Sequence, residues 1–325
     1  MTDIWMHDES ARTQKASMNG VLIVDKPKNI TSHDVVNQVR RIVQHRSVGH
    51  LGTLDPLATG VLPLVIGNLT RIAQFYNGSE KTYEGVARFG FATNTYDADG
   101  EPTGVHAPAP SLSFSLDDLT VAAREFEGFI EQTPPPFSAK KINGVRAYTM
   151  ARKGQAVNLK PVRIEVKELQ ILSVSEDRAT FRAHVASGTY IRSIVHELGQ
   201  RIGCGAHLEE LRRTSVGEFR LQDAHSLDRV SELVASGEVQ ELQELFIHPR
   251  KLLPQFPAVM ADEEMTARIR SGLSVNLPEF SQAPRVKAFN GQRDLIAIAT
   301  RIAGTLFHAP IVFAANPTDR IKLSS

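Results

Sequence analysis

Gly52-Thr53-Leu54-Asp55-Pro56-Leu57-Ala58-Thr59-Gly60 joins a helical pattern to the apolar run Val61-Leu62-Pro63-Leu64-Val65-Ile66. Upstream, Val35, Val39, Ile42 and Val43 recur at helical spacing, with Ser32 as the expected cap and Asp34 in the first turn. The stretch therefore connects a helix to a strand. Its glycines permit a tight path, while Pro56 drives Asp55 out of helical backbone and fixes the next φ. A short carboxylate is thereby held on a stiff loop, which suits ordinary turn chemistry or a catalytic acid.

Outward from this loop, strands are expected at residues 21–24, 82–89, 162–174 and 179–186, the last two from alternation such as Val162, Ile164, Val166 and Phe181, Ala183, Val185. Asn68 is positioned to cap a short helix ending near residue 77. Ser115 with Asp118 forms a capping-box pattern ahead of Leu119, Ala122 and Phe126. Thr189 is the expected cap of a helix whose inward face is Tyr190, Ile194, Val195, Leu198 and Ile202. Strands interleaved with helices, without regular βαβ repeats, argue for an α+β domain. Beyond residues 249–257 the pattern shifts to one short helix, 262–271, and then strands. Asn290-Gly291 marks a two-residue hairpin there, and the unit reads as a small β-barrel. The expected organisation is a flexible tail at 1–18, an α+β domain at 19–250 that carries the Asp55 loop, and a β-rich domain at 251–325.

Length and composition narrow the function classes. A chain of 325 residues with 42% hydrophobic content has ample material for a core. One cysteine, Cys204, excludes an internal disulfide and a cysteine metal cluster, which fits a reducing, cytoplasmic setting. No apolar run approaches the roughly 20 residues of a membrane span, and no signal-peptide core is present. His196-Glu197 lacks a second zinc-ligand histidine, Asp97-Ala98-Asp99-Gly100 reads as a turn, and phosphate-loop and dinucleotide fingerprints are missing. No cofactor or metal is expected. Net charge is only +1. Yet seven basic residues and no acidic one lie between Lys140 and Arg163, including Lys141, Arg146, Arg152 and Lys153. Arg40, Arg41, His45 and Arg46 form a second cluster ahead of Asp55. Two basic clusters bracketing one carboxylate loop suggest a phosphate track.

Four ordered segments carry a family resemblance: Gly20-Val-Leu-Ile-Val-Asp-Lys26-Pro27 with Thr31-Ser32, Gly49-His50 through Gly60, Lys81-Thr-Tyr83, and Ser187-Gly-Thr-Tyr190-Ile-Arg192. From about Gly20 onward the chain resembles the bacterial TruB family of tRNA pseudouridine synthases. The resemblance implies the pseudouridine synthase fold, a mixed and largely antiparallel sheet flanked by helices, followed by a PUA-like barrel. It makes the basic insertion at about 134–163 a thumb closing over the tRNA T-loop. It implies isomerisation of uridine 55, with the T-loop and T-stem as partner, no guide RNA, no membrane and a monomeric enzyme.

By the same resemblance Asp55 is the essential carboxylate, Arg192 its partner, and Tyr83 the residue packed on the uracil. His50 takes the space vacated by the flipped nucleotide, Tyr190 and Leu211 line the uridine pocket, and Lys26 shapes its floor. An arginine beside an aspartate favours the ionised carboxylate. Whether Asp55 attacks the base, attacks C1′ or removes a ribose proton stays open. A different class, a tRNA-binding folding factor with incidental turnover, is compatible with the same residues. Asn29 and Asn94 depart from the family pattern, the first at a position where asparagine tolerates left-handed backbone.

Overall fold

The computed structural model describes residues 19–104, 114–138, 140–142, 144–151, 153, 155, 157 and 159–313; the tail at 1–18 and Arg152 lie outside them. The order is β1 (Gly20–Lys26), α1 (Ser32–Ile42), β2 (Val48–His50), β3 (Thr59–Ile66), a 3-10 helix (Gly67–Tyr76), β4 (Lys81–Phe89), β5 (Ala92–Thr93), β6 (Pro102–Thr103), α2 (Leu116–Arg124) and β7 (Gly128–Gln132). Then come the hairpin β8 (Lys141–Ile142) and β9 (Val145–Arg146), α3 (Ala147–Ala151), β10 (Val162–Ser175), β11 (Arg178–Val185), α4 (Ile191–Ile202), β12 (Ala206–Val216), β13 (Phe219–Arg220), α5 (Leu227–Ser236) and α6 (Val239–Glu244). The C-terminal unit holds β14 (Ala258–Met260), α7 (Glu263–Arg270), β15 (Val275–Asn276), β16 (Arg285–Asn290), β17 (Asp294–Ala303) and β18 (Leu306–Val312).

The first sheet runs β1-β3-β12-β4-β11-β10-β7, with β2 added at β3 and β13 at β12. Every pairing is antiparallel except β12 with β3, so the sheet is mixed and largely antiparallel as expected. The parallel contact is unusually close. A Cβ on Gly60, at φ +97°, would stand 2.2 Å from the carbonyl oxygen of Arg213, so a side chain there would push the two strands apart. The second sheet, β14-β16-β17-β18-β15, is the expected C-terminal β-unit. Among the described residues no helix is long and apolar enough to cross a membrane.

Strand β1 explains why its sequence is a continuous apolar run. Leu22 and Val24 enter a core with α1, α4 and the sheet, whereas Val21 and Ile23 enter a second core with Val61, Leu69, Phe289 and Ile311. Both faces are buried, the condition under which alternation disappears. The second core crosses into the C-terminal sheet, where Arg71 also donates to the carbonyls of Pro310 and Val312 at 3.1 and 3.0 Å.

Several local expectations are corrected. Thr31, not Ser32, caps α1, in a reciprocal box with Asp34. Tyr190, not Thr189, occupies the cap position of α4, and no side-chain bond closes it. Asn68 is not at the cap position, because the segment after β3 is a 3-10 helix, Gly67–Tyr76, whose cap position is Ile66. Asn290 pairs with Asp294, so residues 291–293 make a three-residue loop and not a two-residue turn. His50 stands on a short strand, paired with Leu64. The Ser115–Asp118 capping box is present.

Candidate active site

The Asp55 loop is clamped from three sides. Ser32 Oγ accepts the Leu54 N–H at 2.8 Å and donates to the Leu54 carbonyl at 3.1 Å, both bonds buried. The freed first-turn serine of α1 thus latches the residue preceding Asp55. On the far side, the Pro56 carbonyl accepts from Asn29 N–H at 2.9 Å and from Lys26 Nζ at 3.3 Å. Asn29 adopts φ 69°, the left-handed backbone that its side chain tolerates. The third clamp is Arg213, fully buried, whose guanidinium donates to the carbonyls of Val61, Thr53 and Gly52 at 2.8, 3.2 and 3.0 Å.

On this fixed loop the Asp55 side chain remains 40% exposed, with its Oδ2 at 2.9 Å from Nε of Arg192, whose own side chain is only 7% exposed. The contact is ionic, since Nε has no aligned acceptor. The carboxylate is therefore held by charge while staying open to a ligand. Arg192 is oriented by other groups. Its Nη1 donates to Asp97 Oδ2 and the Thr95 carbonyl, each at 3.1 Å, and Nη2 donates to the Phe137 carbonyl at 3.0 Å. Asp97, buried, takes further bonds from Thr95 Oγ1 at 2.6 Å and Asp99 N–H at 3.2 Å. The turn expected at 97–100 is thus a second carboxylate for Arg192. Tyr96, at φ 66°, stacks on His196 with centroids 3.7 Å apart and planes 12° apart, fastening the Asp97 turn to α4 one turn past Arg192.

Tyr83 is buried on β4, and burial lifts its phenol above the ordinary value of 10 while Arg213 supplies a hydrogen-bond partner. A proton-abstracting phenolate is disfavoured there, and a protonated ring that packs and donates is favoured. His50 is half-buried; burial foremost, then the charges of Arg213 and His33, lower its pKa, and its buried Nδ1 lacks a partner among the described residues. The ring is therefore neutral and apolar in character. Tyr190 is positioned by Gln132, which is 1% exposed: its Oε1 accepts the Tyr190 N–H at 2.8 Å and its Nε2 donates to the Tyr190 carbonyl at 3.1 Å. Leu211 pairs with Gly85 and lines a hollow of about 360 Å³ with Leu57, Thr59 and Phe181. Lys26 is fully buried with its Nζ on the carbonyls of Pro27 and Ile30 at 2.8 and 2.7 Å, and burial brings its pKa down to about 8.

The structure brings Asp55, Arg192, Tyr83, Tyr190 and Lys26 together around one loop. Of the basic set, Arg41 and Arg46 are exposed and rim a hollow of about 340 Å³, while Arg40 is turned inward, donating to Asn37 Oδ1 and the Val48 carbonyl at 3.2 and 2.8 Å. Lys140 and Lys153 are exposed, and Lys141 and Arg146 lie on β8 and β9. Gln132 and Arg213 carry no signal of their own in the sequence, and Asp97 reads there only as part of a turn. The Leu211-Arg212-Arg213 run was a usable signal only if the second arginine was recognised as buried.

Residues 40–191 match the family model described as TruB family pseudouridylate synthase (N terminal domain), and residues 192–252 match the tRNA pseudouridylate synthase B C-terminal domain. Among curated relatives, tRNA pseudouridine synthase B of Solibacter usitatus is 47% identical over 298 residues, covering 91% of this chain and 100% of the relative. The protein of that name from Bacillus cytotoxicus is 36% identical, covering 86% and 92%. Among solved structures, a Cbf5-Nop10-Gar1 complex contains a chain similar in fold, with TM-score 0.66 and 24% identity over 93% of this chain and 85% of that one. Family models and relatives agree, and the chain belongs to the TruB family of pseudouridylate synthases.

Proposed function

We propose that this protein isomerises uridine 55 in the T-loop of tRNA to pseudouridine, with Asp55 as the essential carboxylate. The observation that carries the reading is an exposed Asp55 carboxylate, on a loop clamped from three sides, beside a buried Arg192 whose orientation does not depend on it. Isomerisation breaks the N1–C1′ bond and joins C1′ to C5; the C5 proton leaves and N1 gains one. Such chemistry asks for a positioned carboxylate and a site to hold the detached uracil, without redox change. Tyr83 and Leu211 offer the packing surfaces, Tyr190 the wall, and Lys26 the floor. His50, neutral and half-buried, fills the gap left by the extruded nucleotide, offsetting part of the few kcal/mol that unstacking costs.

Relatives named tRNA pseudouridine synthase B support tRNA as substrate. We assign the exposed lysines and arginines of the thumb at 134–163, with Arg41 and Arg46, to the RNA backbone, and divide the chain into a catalytic domain at 19–250 and an RNA-binding domain at 251–325. The protein works as a cytoplasmic monomer without guide RNA or cofactor. Tritium release from tRNA labelled at uridine C5, with wild type beside Asp55→Asn, tests the reading. Release by wild type alone is expected. Equal release by both would overturn the role of Asp55, and silence from both on a folded, tRNA-binding protein would favour the folding-factor reading.

A further inference from the structure

Four cations, Lys26, Lys81, Arg192 and Arg213, stand around a site whose carboxylates are Asp55 and Asp97. Arg192 has both acids close by, and Lys26 is spent on three carbonyls. Lys81 is different. It lies two residues before Tyr83 on β4, half-buried, and among the described residues it makes no ion pair. Its Nζ donates to the Ser79 carbonyl at 2.7 Å and reaches Ser187 Oγ only at 3.4 Å. An ammonium has three donors, so one is unspent and one is loosely held.

The neighbouring charge is Arg213, whose guanidinium is occupied by carbonyls and by Tyr83. The two cations meet at Gly52. A Cβ there would stand 3.5 Å from Lys81 Cε and 3.7 Å from Arg213 Nη1, so the glycine at φ +119° leaves space beside the half-buried Lys81, while Arg213 behind it is fully buried. The rim is open as well: Thr53, Gly78 and Gly188 are exposed, and a side chain at Gly78 or Gly188 would meet nothing. A half-buried ammonium beside a fully buried guanidinium, with no carboxylate acting on the ammonium among the described residues, is unfavourable unless an anion arrives. Burial and Arg213 accordingly bring the Lys81 pKa down to about 8.

We propose that Lys81, backed by the charge of Arg213, is an anion subsite that takes a phosphodiester of the RNA next to the extruded nucleotide. The inference rests on the proposed RNA substrate and adds a named backbone contact beside Tyr83, apart from the thumb and the Arg41–Arg46 cluster. A phosphate there would accept from the unspent ammonium donor and anchor the chain entering the site two residues along β4 from Tyr83. Each phosphate neutralised releases counterions and steepens the salt dependence of binding.

The test is equilibrium binding of a labelled T-arm stem-loop between 50 and 200 mM salt, in an Asp55→Asn background so that no turnover occurs. Lys81→Gln is expected to lower the slope of log Kd against log salt by about 0.7 to 0.9, so its affinity deficit narrows roughly threefold across that range. Lys81→Arg keeps the parent slope, which separates loss of charge from loss of fold. Lys167→Gln, at an exposed lysine paired with Glu165, leaves the slope unchanged. An unaltered slope in Lys81→Gln overturns the proposal. So does an unaltered slope accompanied by slower single-turnover release with Asp55 intact, which would place Lys81 on the reacting base. No stem-loop binding by the parent would remove the RNA reading itself.

Discussion

Replacing Ser32 by alanine separates a helix cap from a latch. The Ser32 hydroxyl makes no cap; it satisfies both the N–H and the carbonyl of Leu54, which is 4% exposed and cannot turn to water instead. Leaving such buried groups unpaired costs about 1–3 kcal/mol. At about 2 °C per kcal/mol for a chain of this size, the melting temperature falls by roughly 2–6 °C. The larger effect is on chemistry, because the next residue is Asp55, and a displacement of about 1 Å can cost on the order of 100-fold in rate. Single-turnover tritium release is expected to fall roughly 10- to 100-fold in Ser32→Ala, with tRNA affinity within about threefold. Thr31→Ala is the matched control. It removes the true cap of α1, at about 0.5–2 kcal/mol, but touches nothing in the loop. Comparable destabilisation of both variants with a wild-type rate in Ser32→Ala would refute the latch.

Asp97→Asn keeps the size of the side chain but removes the charge that fixes Arg192, so the single-turnover rate should drop by about 10-fold or more while tRNA binding holds; a wild-type rate in a folded variant would count against the shared guanidinium. Tyr83→Phe removes only a hydroxyl that burial keeps protonated, so the alkaline limb of the rate–pH profile should be the same in variant and wild type, and a limb that disappears with the hydroxyl would identify it as the base. Stability should rise as pH climbs from about 8 toward 10.5. Over that window the folded Lys26 and Lys81 have already released protons that the unfolded chain still binds, whereas below about 8 the full penalty of burying both charges is present. The urea midpoint of Lys81→Met should therefore exceed that of wild type by more at pH 7 than at pH 9.5, and a constant gap would contradict the assignment.

What was legible in the sequence was local. The paired capping residues Ser115 and Asp118, the apolar run of β1 and the alternation along β10 and β11 state their structure within a few residues. Asp55 and Arg192 were readable because each sits in a short motif. The hidden parts depend on partners far away in the chain. β12 carries Glu209, Glu210, Arg212 and Arg213, which look like solvent residues, although Arg213 is buried because the carbonyls of Gly52, Thr53 and Val61 satisfy it. Asp97 has turn chemistry on either side, and only the arrival of Arg192 on α4, 95 residues later, makes it part of the site. Gln132 is silent for the same reason, since its use is to hold Tyr190.

The two-sided burial of β1 also constrains how the chain is made. Leu22 and Val24 can be covered by the catalytic sheet and α1, but Ile23 shares its core with Leu295, Ile298 and Ile311. At about 5–20 residues per second, roughly 15–60 s separate synthesis of Ile23 from that of Ile311. Through that interval one face of the strand next to the Asp55 loop is an apolar surface awaiting its cover on the ribosome. A chain stopped near residue 250 would retain Asp55, Arg192 and their clamps in its sequence yet keep that surface wet permanently. Its failure would be aggregation rather than loss of a catalytic group.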